Sequence, residues 1–391
     1  MKILILSPFL PYPPDSGAKV RTFNIIRSLH GHDIHLLTFA DKNPPDNLDE
    51  LKKYCSEIYV LPTPRVSNKS IFLNFFSLKP LLAVRFFNRD TFDQLKEIVR
   101  CMDIVIFESL LMAEYRNALT SSYGILDELN IEFIRAQRRM KSTSNILKKL
   151  FYYAIFYRLK KYELKMIRNY ELILVCSEND KKLIEKYNSN KKVAVIPNVI
   201  DTDYFYPVER VPSSNKIIFV GTMWYEPNAD ALRFFIQKIY PLIKKEVNDV
   251  ELLVIGEGGS RKILKHNYDP NIKIINYADD IRPHFVGSKV FIAPIRMGSG
   301  TRLKILTAMA MGLPVVSTTV GCEGLDVING ENIVIADEPL EMKESIVKIL
   351  RDEDLRRMVG KKGRELVEDK YSLKALADQL NKIFNEMITK K

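Results

Sequence analysis

The sequence predicts an α/β protein made of two parallel sheets covered by helices, and three observations lead there. Short aliphatic or β-branched runs alternate with helical stretches from one end to the other, the pattern of strands joined by helical crossovers. The series is interrupted at Pro197–Pro207 and Pro212–Asn215, where prolines and turn formers replace apolar periodicity and mark a linker. A chain of 391 residues, 46% hydrophobic and 27% charged, exceeds what one core usually organises.

The first half offers strands at Lys2–Leu6, Ile34–Thr38, Ile58–Leu61, Ile104–Phe107, Gly124–Leu126, Leu172–Cys176 and Val193–Ile196. The opening Met1–Leu6 has the look of a signal peptide, but Pro8, Pro11, Pro13 and Pro14 interrupt it and no small-residue cleavage site follows. It is therefore read as a first buried strand. The second half offers Lys216–Val220, Glu251–Ile255, Ile272–Ile275, Val290–Ala293, Pro314–Ser317 and Ile333–Ile335. The expected organisation is a domain over 1–200, a second over 201–371, and an amphipathic helix over 372–391 that packs back on the first. No apolar run approaches the roughly 18 residues of a membrane span. Cys55, Cys101, Cys176 and Cys322 are scattered, with no C-x-x-C pair and no histidine group at metal spacing, so a reduced, cytoplasmic, metal-free protein is expected.

The net charge of +11 is local. Between Ile134 and Arg168 eleven basic residues face Glu163 alone, interleaved with Phe151, Tyr152, Tyr153, Phe156, Tyr157 and Tyr162. Without Gly or Pro, the stretch predicts one long helix. Basic residues beside exposed aromatics suit an anionic membrane surface, with Ile71–Phe87 as a second contact. The competing reading is an amphipathic core helix with its aromatics inward. Nucleic acid is set aside because no nucleic-acid module accompanies the patch.

Two turns are candidate sites. The first, Pro11–Lys19, joins the first strand to a helix, where backbone N–H groups meet the carboxyl end of a sheet and Gly17 admits close approach. The second is Gly298-Ser299-Gly300-Thr301-Arg302-Leu303-Lys304. Here basic residues open a helix whose amino end already carries partial positive charge, so an anion is expected to compensate. Free N–H groups, two hydroxyls, Arg302 and Lys304 make a diphosphate site without a metal. Neither turn is a G-x-x-x-x-G-K-[ST] loop or a G-x-G-x-x-G fingerprint. Gly256–Gly259 and Gly321–Gly324 are expected to be further loops lining the site, and Asp201-Thr202-Asp203 is read as a turn rather than a metal ligand pair.

As an ordered set, Pro14–Gly17, Val195–Asn198 with Asp201, Phe219–Thr222 with Pro227-Asn228, and Gly298–Lys304 running into Ala308–Val316 resemble the group 1, or family 4, glycosyltransferases of the GT-B fold. The resemblance covers nearly the whole chain. It implies two Rossmann-like domains facing each other across a cleft, a nucleotide-diphosphate sugar held mainly by the second, and a retaining, metal-independent hexosyltransferase reaction with no cofactor. Carried over by position, it implies donor binding by Gly17, Ala18, Tyr277, Asp279, Gly298, Ser299, Gly300, Thr301, Arg302, Lys304 and Thr307. It implies catalytic roles for Arg302, Lys304 and Asp127, the last in a run similar to D-x-H-N.

Three departures stand out. The family's E-x7-E pattern falls on Ser299 and Thr307, Leu129 takes the histidine place, and Gly221–Tyr225 replaces the basic residues that often follow the second domain's first strand. The expected function is transfer of a sugar to a glycan or lipid-linked acceptor in cell-surface polysaccharide synthesis, in the cytoplasm and peripherally at the inner face of the membrane. The alternative is a catalytically impaired protein that partners an active transferase. An epimerase or phosphorylase of the same fold is a third reading, disfavoured by the lack of an acid/base carboxylate pair or a cofactor lysine.

Overall fold

The computed structural model describes residues 1–41, 48–64, 79–81, 85–143, 145–208, 214–258, 269–298 and 300–388. It divides into two compact units, Met1–Pro197 with the chain from Leu376 onward, and Asn198–Ala375.

The first unit is built on β1 (Lys2–Ser7), β2 (Asp33–Ala40), β3 (Glu57–Pro62), β4 (Ile104–Glu108), β5 (Tyr123–Glu128), β6 (Leu172–Val175) and β7 (Val193–Val195). All seven are parallel, in the order β3-β2-β1-β4-β5-β6-β7. Ile3 to Leu6 have no exposed surface, as expected for a central strand covered on both faces. Helix α1 (Gly17–Ser28) follows β1. The strand order reverses at β1, which has β2 on one side and β4 on the other. At such a switch point the crossovers leave in opposite directions and a crevice opens at the carboxyl ends of the strands.

The stretch expected as one helix is two, α2 (Glu132–Ser142) and α3 (Ile146–Ile167). Asn145 restarts the helix: its Oδ1 accepts from the Lys148 amide at 3.0 Å, one of the strongest N-terminal stop-and-start devices. Glu163 does not offset the surface charge as its sequence position suggests. It is buried, and its two oxygens accept from the Glu132 and Phe133 amides at 2.9 Å each. Those are donors at the start of α2 that lack intrahelical acceptors.

The second unit contains β8 (Lys216–Val220), β9 (Glu251–Ile255), β10 (Ile272–Ile275), β11 (Val290–Ala293), β12 (Val315–Ser317) and β13 (Val334–Ile335). They form a parallel sheet of six in the order β10-β9-β8-β11-β12-β13, with its switch point between β8 and β11. Helix α4 (Glu226–Phe234) follows β8, and α5 (Leu303–Ala310) follows β11. The Ile200 amide donates to the Tyr371 carbonyl at 2.8 Å, so the entering chain is pinned beside the last turn of this unit. The final helix, α6 (Leu373–Ile388), buries Leu376, Leu380, Phe384 and Met387 at helical spacing. His32 and Asn381 meet at 2.9 Å within the first unit.

Candidate functional site

The second unit's switch point is flanked by the loops after β8 and β11. The β11 loop needs glycine: Gly298 has φ 116°, and a Cβ there would lie 2.8 Å from the Arg302 guanidinium. Gly300 also has a positive φ, of 80°, a region L side chains rarely enter. Ser299 lies outside the described residues. Thr301 is held by Asn198, whose Nδ2 donates to Thr301 Oγ1 at 2.6 Å. Arg302 is buried at the start of α5 and donates to the Gly300 carbonyl at 2.7 Å, which folds the turn around its guanidinium.

Lys304 is the centre of this arrangement. Its Nζ donates to Asn228 Oδ1 at 2.7 Å and sits 5.3 Å from the centroid of the Phe219 ring. Asn228 Nδ2 in turn donates to the Thr222 carbonyl at 2.9 Å, so α4 and the β8 loop orient the lysine together. Gly221 makes the room, because a Cβ there would stand 2.6 Å from Lys304 Nζ. Among the described residues no carboxylate pairs with Lys304. Loss of water around the ammonium, aided by Arg302, pushes it down to about 7. A second charge of the same sign and a dry surrounding both disfavour the protonated form. An anion set down here would reverse that preference.

The remaining expected donor residues fall apart into different surroundings. Tyr277 and Asp279 are exposed after β10, while neighbouring Asp280 pairs with Arg282 at 2.7 Å. Thr307 is buried, and its hydroxyl donates to the Leu303 carbonyl of its own helix at 3.0 Å. Asp201-Thr202-Asp203 forms a turn in which Asp201 Oδ1 accepts from the Asp203 and Tyr204 amides at 3.0 Å each. Among the described residues no group of three His, Cys, Asp or Glu side chains is placed to hold a metal ion.

In the first unit, Gly17 and Ala18 open α1, and Ser16, at its cap position, makes no side-chain hydrogen bond to the helix. Asp127 is not presented to a substrate. It has no exposed surface, and Arg21 grips both its oxygens, Nε to Oδ2 at 2.7 Å and Nη2 to Oδ1 at 2.6 Å. Arg21 Nη1 also donates to the Ile196 carbonyl at 2.8 Å. Through this bidentate pair Asp127 anchors Arg21 and ties α1, β5 and the chain after β7 together.

A missed group stands beside the pair. Glu108, in register with Asp127 on the neighbouring strand, is 1% exposed and accepts from Thr22 Oγ1 at 3.0 Å. Burial, with Asp127 adding to it, holds its carboxyl well above the usual range. Only its place at the end of a buried strand could have drawn attention to it in the sequence.

The basic stretch presents a different surface. Ile146, Leu147, Leu150, Phe151, Tyr153 and Tyr157 on the first half of α3 are all more than half exposed, beside exposed Lys148 and Lys149. The inward-facing alternative holds only for the second half, where Leu159, Tyr162, Met166 and Ile167 are buried. In the second expected contact, Phe72, Phe75 and Phe76 lie outside the described residues, and Lys79 pairs with Glu114 at 2.9 Å. No helix among the described residues is long and apolar enough to cross a membrane.

Comparison with known proteins adds four findings. Residues 214–352 match the family model described as glycosyl transferases group 1. An uncharacterized 44.6 kDa protein in the cps region of Klebsiella pneumoniae is 22% identical, over 97% of this chain and 99% of that one. The capsular polysaccharide biosynthesis glycosyltransferase CapM of Staphylococcus aureus is 30% identical, over 39% of this chain and 42% of that one. Among solved structures, HepE from Anabaena in complex with UDP and glucose superposes with a TM-score of 0.67 at 14% identity, over 98% of this chain and 99% of that one.

Proposed function

We propose that this chain, which has the GT-B fold and carries a group 1 glycosyltransferase domain in its second unit, moves a sugar from a nucleotide-diphosphate sugar to a glycan or lipid-linked acceptor in capsule or other cell-surface polysaccharide synthesis. The observation that carries the reading is Lys304. It is a basic group placed at a switch point, positioned by Asn228 and the Phe219 ring, and paired with no carboxylate among the described residues. A diphosphate supplies what the site is missing. As the glycosidic bond breaks, the leaving diphosphate gains negative charge, and Arg302, Lys304 and the turn's amides are fixed to receive it. In this reading no metal is needed for that task, and the transfer retains anomeric configuration. The relative CapM, named for capsular polysaccharide biosynthesis, and HepE, solved with UDP and glucose, support the same chemistry.

Calorimetric titration with UDP, GDP and ADP tests the reading. One of the three binds the wild type, and Arg302→Ala and Lys304→Ala both weaken it. Failure of all three would move the non-catalytic partner reading forward, with Thr307 turned onto its own helix as its structural basis.

The exposed apolar and basic half of α3 brings the protein to the anionic inner face of the cytoplasmic membrane, where a lipid-linked acceptor resides. Each cation contributes about 1 kcal/mol near anionic head groups. Co-sedimentation with phosphatidylglycerol and phosphatidylcholine vesicles checks this. Binding to the first only, reduced by Lys148→Glu with Lys149→Glu, is expected, and equal binding to both sinks the electrostatic version.

A further inference from the structure

The loop that leaves β8 carries no charge from Gly221 to Tyr225, and residues on both sides of its tip reach Lys304. A Cβ on Gly221 would stand 2.6 Å from Lys304 Nζ, and Asn228 Oδ1 accepts from that nitrogen at 2.7 Å. Between these contacts lies Trp224, the only tryptophan of the chain, 79% exposed.

The place of the ring is set by its neighbours. The Gly221 amide donates to the Ile255 carbonyl at 2.9 Å and the Met223 amide to the Glu257 carbonyl at 2.6 Å, which ties the loop to the chain leaving β9. A Cβ on Gly258 would stand 2.8 Å from the indole Cγ and Cδ2, so glycine lets the ring rest against the backbone there. The Tyr225 hydroxyl lies 3.4 Å from where a Gly298 Cβ would be. Because β8 runs between β9 and β11, the loop sets an indole toward β9 and a phenol toward the glycine turn. Tyr204, another exposed aromatic of this unit, is covered by the Arg282 guanidinium 3.8 Å from its centroid. Among the described residues no ring or cation covers Trp224.

An apolar ring backed by the chain and held in water beside a phosphate turn gains by being covered. What covers it follows from the groups around it. A nucleobase stacked on an aromatic is also read along its edge, and the backbone that could do so is spent. The Met223 amide is on Glu257, while the Thr222 and Tyr225 carbonyls accept from Asn228 Nδ2 and the Asn228 amide at 2.9 Å each. What remains in the loop is hydroxyls. Thr222 and Tyr225 are exposed, and their hydroxyls hydrogen-bond to nothing among the described residues. Such groups give and accept hydrogen bonds as sugar hydroxyls do, and the negative face of an indole suits the C–H face of a sugar ring.

We propose that Trp224 is a stacking platform for a sugar ring and, with the Thr222 and Tyr225 hydroxyls, selects among sugars. The proposal rests on the glycosyl-transfer reading for its class of ligand. The ring belongs either to the donor's sugar or to the acceptor.

The platform reports on itself, since no other indole emits. Acrylamide quenching of tryptophan fluorescence is measured on the full chain alone and with each probe. The probes are UDP, GDP and ADP, then UDP-glucose, GDP-mannose and ADP-glucose, then methyl α-glucoside and methyl α-galactoside. The expected result is that one sugar-bearing probe shields the ring and its parent diphosphate does not. A nucleotide sugar that shields it names the donor as source, and a glycoside names the acceptor. Calorimetry should show Trp224→Ala weakening that probe about tenfold with the parent diphosphate unchanged, and Trp224→Phe closer to wild type. Equal shielding by the diphosphate overturns the proposal, because the nucleoside then lies on the ring. Shielding by no probe, or sugar binding unchanged in Trp224→Ala, overturns it as well, and nucleotide affinity measured on the same samples shows whether the transferase reading stands without it. Shielding by a glycoside in a chain that binds no nucleotide keeps the platform and sinks the transferase reading instead.

Discussion

In the first unit the strands at the crevice end in acids, Glu108 on β4 with Asp127 and Glu128 on β5, whereas in the second they end in Val220 and Ala293 and the charge comes from Arg302 and Lys304. Both sheets are parallel, and both reverse their order beside the first strand of the unit. One frame thus carries opposite electrostatics. The acids are desolvated and driven toward neutrality, Glu108 and Glu128 well above the usual carboxylate range and Glu163 up to about 8. The lysine is desolvated as well, and loss of water pushes it down to about 7, likewise toward its neutral form. A turn that carries Arg302 and Lys304 suits phosphates, and the buried acids of the first unit do not. Fold alone therefore tells little about ligand; the residues at the strand ends do.

The contrast breaks most severely at Asp127. Asp127→Ala leaves Arg21 buried without its carboxylate, and an uncompensated buried charge costs about 3–5 kcal/mol. Urea unfolding should show the first unit melting early. A catalytic acid would instead lose turnover with its stability intact. Next comes Arg302→Ala, which removes a charged donor from the diphosphate turn and should lower nucleoside diphosphate affinity about 10- to 150-fold by calorimetry.

The pH dependences sharpen the comparison. Lys304 titrates near 7 when the site is empty, and a bound diphosphate raises that value. Binding therefore takes up a proton above neutrality, and affinity falls as pH rises from about 7, by at most about tenfold per unit. Titrations in two buffers of different ionisation heat would reveal the uptake, and Lys304→Met should abolish it.

The last effect concerns Glu163 and bears on stability rather than binding. Its folded value of about 8 lies above the ordinary 4.5, so the folded form holds a proton that the unfolded chain releases in between. Its contribution is complete below about 4.5 and is lost as pH rises toward 8, at no more than about 1.4 kcal/mol per unit. Glu163→Gln should flatten that part of the stability profile, measured by urea unfolding across pH.

The strand ladder was legible because a parallel sheet buried on both faces must be written in continuous aliphatic runs, and Ile3–Leu6 or Val290–Ala293 are such runs. The turn Gly298–Lys304 was legible for a related reason: two glycines and two cations at a helix start have few other uses. The break at Asn145 was harder to see, since the flanking residues favour helix on both sides and a single capping oxygen decides. Arg21 and Asp127 are separated by 106 positions, and no local pattern announces a bond of that reach. Nor does composition distinguish Glu163, folded under α2, from the exposed acids it resembles on paper. The charge of a stretch can be counted from sequence, but its solvation cannot.

The hydrogen bond from Asn198 to Thr301 joins the first residue of the second unit to its glycine turn, across 103 positions of chain. A segment fastened in this way cannot settle before more than half of the unit has been made. The same bond makes residue 198 a listening post. Amide exchange at the neighbouring Val199 and Ile200 should slow when a phosphate-bearing molecule steadies the turn, giving a report of occupancy from a position that touches no ligand itself.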